Sequence, residues 1–162
     1  MRRVYSIALL LLVALGLSAT TKEVKLKLLE TSDIHGNFFP YNFIERAGVG
    51  RKSGRYIRFV QEERRAYGDN LLLLDNGDIL QGQPSAYYYN FMDTVSTHIA
   101  SAMMNYMGYN AGNMGNHDVE AGHAVFDRWI KQCDFPILGA NIIRTSDRET
   151  YLKPMRYLSV TV

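Results

Sequence analysis

Leu71-Leu72-Leu73-Leu74-Asp75-Asn76-Gly77-Asp78 is the stretch on which the fold turns. Four consecutive leucines, preceded by Gly68 and followed by a polar segment bearing a glycine, are too few for a helix and read as a wholly apolar strand. Immediately upstream, Arg55 to Tyr67 sets Ile57, Phe59, Val60 and Ala66 among arginines and glutamates, the pattern of an amphipathic helix that Gly68 ends. Before it, Val24, Leu26 and Leu28 alternate with Lys25 and Lys27, a period of two that predicts a strand closing at Glu30 to Asp33. Downstream, a helix is expected from Thr94 to Met107, with Asp93 as its N-cap and Gly108 as its stop. A short segment then reaches Gly115, a helix runs from His123 to Cys133, and a strand occupies Pro136 to Ala140. This recurrent strand and helix order implies an α/β sheet with crossover connections.

The chain has 162 residues, 47% hydrophobic and 12% aromatic, one domain's length with enough apolar side chain for a core. That composition excludes a disordered or fibrous protein. Lys and Arg number 18 against 16 Asp and Glu, but Arg2 and Arg3 stand before the uncharged run Ile7 to Leu17, and without them the balance is 16 against 16. A polycationic binder of nucleic acid polymers is thereby excluded, because affinity for a phosphate backbone needs a cationic surplus. The apolar run ends in Ser18-Ala19-Thr20-Thr21 and reads as a secretory signal peptide over residues 1–20, cut near Ala19. It falls short of the roughly 20 residues a bilayer span requires, and no other run reaches that length. The expected product is an exported domain over 21–162, periplasmic or extracellular, with no stable membrane span. Cys133 is the only cysteine, so neither an intramolecular disulfide nor a cysteine-based zinc site can form, and it reads as a small buried hydrophobe.

Ligands of α/β sheets gather beyond the carboxyl ends of the strands, and the polar clusters fall there. The first strand ends in Asp33-Ile34-His35-Gly36-Asn37, where Asp33 and His35, two apart, would point to one side of an extended backbone and offer a carboxylate oxygen and an imidazole nitrogen to a metal. The second ends in Asp75-Asn76-Gly77-Asp78, with Gly77 allowing a tight turn. The third segment ends in Gly115-Asn116-His117-Asp118. Taken singly each cluster could be a turn or a cap. Three at three successive strand ends point to a site.

These stretches, with Asn76-Gly77-Asp78-Ile79-Leu80-Gln81-Gly82 and the looser Pro136-Ile137-Leu138-Gly139-Ala140-Asn141, resemble the calcineurin-like metallophosphoesterase superfamily in its secreted 5′-nucleotidase and 2′,3′-cyclic-nucleotide phosphodiesterase branch. The resemblance runs from about Val24 to Asn141. It implies the N-terminal half of a β-sandwich flanked by helices, four layers αββα when complete, and hydrolysis of a small phosphorylated substrate such as a nucleotide. It also implies two divalent ions, with Zn, Mn or Fe suited to a mixed oxygen and nitrogen set. Asp33 and His35 would hold the first ion, Asp78 would bridge, and Asn116 would bind the second. Asn116 and His117 would face the substrate, and His117 would act as an acid toward the leaving group, oriented by either Glu120 or Asp118. The family draws further ligands from later histidines, which this chain does not match, so a missing C-terminal half is expected. A truncated, catalytically silent fragment holding at most one metal is therefore the alternative to the enzyme.

Other features carry plainer readings. His98 and His123 are taken as packing residues on helices, and Met103, Met104 and Met107 as core at helical spacing. Tyr87, Tyr88, Tyr89 and Phe91 are expected at a helix start packed in the core, rather than as a stacking platform. Arg51, Lys52, Arg55 and Arg58 read as a solvated basic loop and helix face.

Overall fold

The computed structural model describes residues 22–42, 44–48 and 55–159. The expected signal peptide, together with Arg51 and Lys52, lies outside them. Strand β1 (Lys27–Thr31), a two-residue hairpin of β2 (Tyr41–Asn42) and β3 (Ala47–Gly48), and helix α1 (Arg55–Tyr67) come first. The quoted leucines form β4 (Leu71–Asp75). Then follow α2 (Pro84–Tyr87), continued by a π turn to Met92, and α3 (Ile99–Met107). The chain continues through β5 (Ala111–Asn113), α4 (Asn116–Glu120), α5 (His123–Gln132) and β6 (Ile137–Leu138).

The main sheet has the order β1-β4-β5-β6, all parallel, which makes this the expected α/β fold. Each strand is added on the same side of the last. With right-handed crossovers, that direction sends every connecting helix to one face. The core accordingly joins Leu71 and Leu73 of β4 to Val60 of α1, Met104 and Met107 of α3, and Val125, Phe126 and Trp129 of α5. Leu28, paired in register with Leu72, is 58% exposed, whereas Leu73 on the helix side is fully buried. One sheet face is thus packed and the other partly open, which is the geometry expected of half a sandwich.

Several boundaries differ from the sequence reading. Helix α3 begins at Ile99, not Thr94: the Asp93 carboxylate caps a turn, accepting from the Val95 and Ser96 N–H groups, and the N-cap of α3 is His98, whose Nδ1 accepts from the Ala100 N–H at 3.1 Å. Gly108 ends α3 in the left-handed conformation, as expected. The aromatic run does not pack in the core. Tyr87, Tyr88 and Phe91 are about half exposed, because the tight turns of Pro84–Met92 bury Ala86 and Asn90 instead. Met104 and Met107 are buried and Met103 packs against them. Among the described residues, no helix is long and apolar enough to cross a membrane.

Candidate functional site

Three loops meet at the carboxyl ends of β1, β4 and β5, and backbone bonds fasten the first two together. The Asp33 N–H donates to the Gly77 carbonyl at 3.1 Å, the His35 N–H to the Asp78 carbonyl at 2.9 Å, and the Gln83 N–H back to the His35 carbonyl at 3.0 Å. Asp33, His35 and Asp78 all have positive φ, at 55°, 51° and 61°. The expectation that Asp33 and His35 share a side of an extended strand is therefore corrected. Strand β1 ends at Thr31, and the two residues approach through a left-handed turn, which short polar side chains tolerate, with His35 Nε2 3.7 Å from Asp33 Oδ1.

The third loop is clamped onto the second by Asp118. This carboxylate is fully buried; Oδ2 accepts from the N–H groups of Asp78 and Gly115, and Oδ1 from those of Ile79 and Leu80. Burial pushes its pKa up, and the four bonds oppose that rise. Reciprocally, Asp78 Oδ1 accepts from the His117 N–H at 2.9 Å. Such contact leaves no room for side chains at the crossing: a Cβ on Gly115 would stand 2.1 Å from Asp78 Oδ1, and one on Gly77, at φ 100°, would stand 2.5 Å from the Gly115 nitrogen.

Within this frame His35, Asp78 and His117 each offer a ligand atom, all lying within 4.8 Å of one another. The imidazole rings of His35 and His117 meet edge to face, 5.3 Å between centroids. His35 Nδ1 lies 3.0 Å from the Gln81 carbonyl, which can only accept, so Nδ1 carries the proton and Nε2 presents a lone pair. Of the two acids proposed to orient His117, Glu120 contacts the ring, with Oε2 2.9 Å from Nδ1, while Asp118 faces the backbone. The Glu120 bond raises the His117 pKa, and the same bond lowers that of Glu120. Asn116 is exposed at the start of α4, and Asp33 is exposed beside His35. A hard carboxylate beside imidazole nitrogens whose far sides are already bonded is a donor set that suits a divalent ion.

The remaining histidines are elsewhere. His98 is fully buried, with Nε2 2.8 Å from Asn90 Oδ1; it is a packing residue as expected, but as the N-cap before the helix rather than within it. His123 lies on α5 against Phe126 and Tyr151, with Nδ1 3.5 Å from Asp127 Oδ2, at a cavity of about 470 Å³ that Met114, Val119 and Arg144 also line. Cys133 is part-buried, and burial pushes its thiol up to about 12, so it is not a nucleophile. The residue that sequence reasoning missed is Gln81. It stands inside the Asn76-to-Gly82 motif, but only the structure places its carbonyl on one imidazole and its side-chain amide on the carboxylate that holds the other.

No family model matches the chain. Individual proteins do. It is 38% identical over 138 residues to the trifunctional nucleotide phosphoesterase YfkN of Bacillus subtilis, covering 80% of this chain and 9% of that protein. It is 34% identical over 145 residues to the 5′-nucleotidase of Diplobatis ommata, covering 86% and 23% respectively. The chain thus spans less than a quarter of the length of either relative. The crystal structure of calcineurin-like phosphoesterase YfkN superposes with a TM-score of 0.72 at 33% identity, covering 82% of this chain and 41% of that one. The clamped loops, the paired imidazoles and these likenesses agree, and the chain belongs to the calcineurin-like metallophosphoesterase superfamily, its similar relatives including nucleotidases and cyclic-nucleotide phosphodiesterases.

Proposed function

We propose that the protein hydrolyses phosphate esters of nucleotides with the help of two divalent ions, Zn, Mn or Fe, outside the cytoplasm after loss of its leader. The observation that carries this reading is that His35, Asp78 and His117, from three separate loops, each bring a ligand atom within 4.8 Å of the others. Asp33 and His35 would hold one ion, Asp78 would be shared, and Asn116 would hold the second. Bound there, such ions polarise phosphoryl oxygens and lower the pKa of water, which supplies the nucleophile. The chain's own residues do the rest. Asn116 and His117 face the phosphate, and His117 delivers a proton from Nε2 to the departing alkoxide while Glu120 keeps Nδ1 protonated and the ring aimed. Asp118 acts at a distance, holding the Asp78 and Asn116 loops together through four N–H groups.

Phosphate release from AMP by the mature chain, with Mn or Zn added and a chelator control, tests the reading. Chelator-sensitive turnover that Asp78→Asn abolishes is the expected result; turnover retained in that variant overturns the shared role of Asp78. The second reading, a silent fragment holding at most one metal, is favoured by one observation: among the described residues a single group of three candidate ligands comes together. It predicts metal-dependent stabilisation without phosphate release.

A further inference from the structure

We infer that Gln81 is a positioning residue that fixes both active imidazoles at once, its carbonyl accepting from His35 Nδ1 and its side-chain amide holding the Glu120 carboxylate that orients His117. The inference rests on the hydrolase reading for its effect on turnover, but its geometry stands apart from that reading.

Like Asp78, Gln81 touches the loops on both sides of its own, but its contacts go to the imidazole of one and to the carboxylate that orients the imidazole of the other. Its carbonyl lies 3.0 Å from His35 Nδ1, and its Nε2 donates to Glu120 Oε2 at 3.0 Å, the same oxygen that lies 2.9 Å from His117 Nδ1. The backbone here has little freedom. Gly82, at φ 126°, would put a Cβ 2.6 Å from the His35 carbonyl oxygen, and that oxygen accepts from the Gln83 N–H at 3.0 Å. The carbonyl of Gln81 is thus delivered by the main chain whatever its side chain. The amide is different: Glu120 is exposed at the end of a five-residue helix, and an exposed carboxylate with three rotatable bonds has no fixed place of its own. The Gln81 amide pins it, and only a pinned carboxylate keeps His117 in one tautomer and one orientation.

This separation gives a test with an internal control. Replacing the side chain leaves the His35 contact, which is backbone, and removes the Glu120 contact. Gln81→Met keeps length and loses the donor. In the full chain with ¹⁵N-labelled histidines, at a pH high enough for both rings to be neutral, parent His35 and His117 should both show the Nδ1–H tautomer. In Gln81→Met, His117 should become a tautomer mixture while His35 stays unchanged. Where the parent turns over AMP, the variant's kcat should fall by about tenfold at unchanged KM and Mn affinity, as for loss of an orienting partner. Gln81→Glu, which sets a second carboxylate against Glu120, should not restore it. An unmixed His117 tautomer in Gln81→Met overturns the inference, as does a tautomer change at both histidines, which would mean a general loosening of the loop. A parent without phosphate release would count against the hydrolase reading alone, since the tautomer result decides the role of Gln81 without turnover.

Discussion

At the scale of single residues, the site depends on atoms that lie too close for substitution. Gly115 is the sharpest case, since a methyl group there would collide with the Asp78 carboxylate and the Asp78 nitrogen, 2.1 and 2.6 Å away. Gly115→Ala should cost roughly 1–3 kcal/mol of stability, as overpacking does, and should also displace Asp78. Urea unfolding and Mn titration of the same sample check this; unchanged Mn affinity would show that Asp78 is not positioned by that contact. Asp118→Asn offers a second measure. An asparagine retains one carbonyl oxygen and brings an NH₂ toward N–H groups that need an acceptor, so two of the four bonds become donor against donor. A loss of roughly 2–4 kcal/mol is expected in the same unfolding experiment.

Individual elements show where sequence was sufficient and where it was not. Helix α1 was legible to both ends because an amphipathic stripe meets Gly68, and β4 because its leucines admit little else. The start of α3 was hidden. An aspartate at a helix start signals an N-cap, but Asp93 spends its carboxylate on a preceding turn, and the cap is supplied by an imidazole whose burial depends on Asn90, eight residues away. The three polar clusters of the site were visible as loop composition. The left-handed turn that joins Asp33 to His35, the buried clasp of Asp118 and the double contact of Gln81 were not, because each depends on pairing between loops some 40 residues apart in sequence. His98 also gives α3 a pH dependence. Its Nδ1 must stay unprotonated to accept from Ala100, its Nε2 donates to Asn90, and burial, reinforced by the positive charge of Arg128, lowers its pKa from 6.5 to about 4. The unfolded chain therefore binds the extra proton between those values. This contribution to stability is complete above pH 6.5 and is lost as pH falls toward 4, by roughly 3 kcal/mol at most. Urea midpoints measured across that window should show a steeper fall for the parent than for His98→Gln; parallel curves would remove His98 from the account.

For the molecule as a whole, a sheet wound in one direction carries its helices on one face and leaves the other half covered. Leu26, just before the edge strand β1, and Leu28 within it are 50% and 58% exposed, with Lys25 as the exposed charge beside them, while Lys27 turns to the helix side and pairs with Glu63 at 3.1 Å. The 162-residue chain alone should self-associate with rising concentration, and Leu28→Lys should weaken that association; sedimentation velocity of the two proteins checks it, equal profiles being the contrary result. On the opposite side of the economy of this fold stands the Asp118 clasp, which consists of protein groups alone. A cation would therefore arrive at loops that already hold their shape. Its uptake should be a simple bimolecular event, with an observed rate rising linearly with ion concentration and no plateau set by a loop that must first fold.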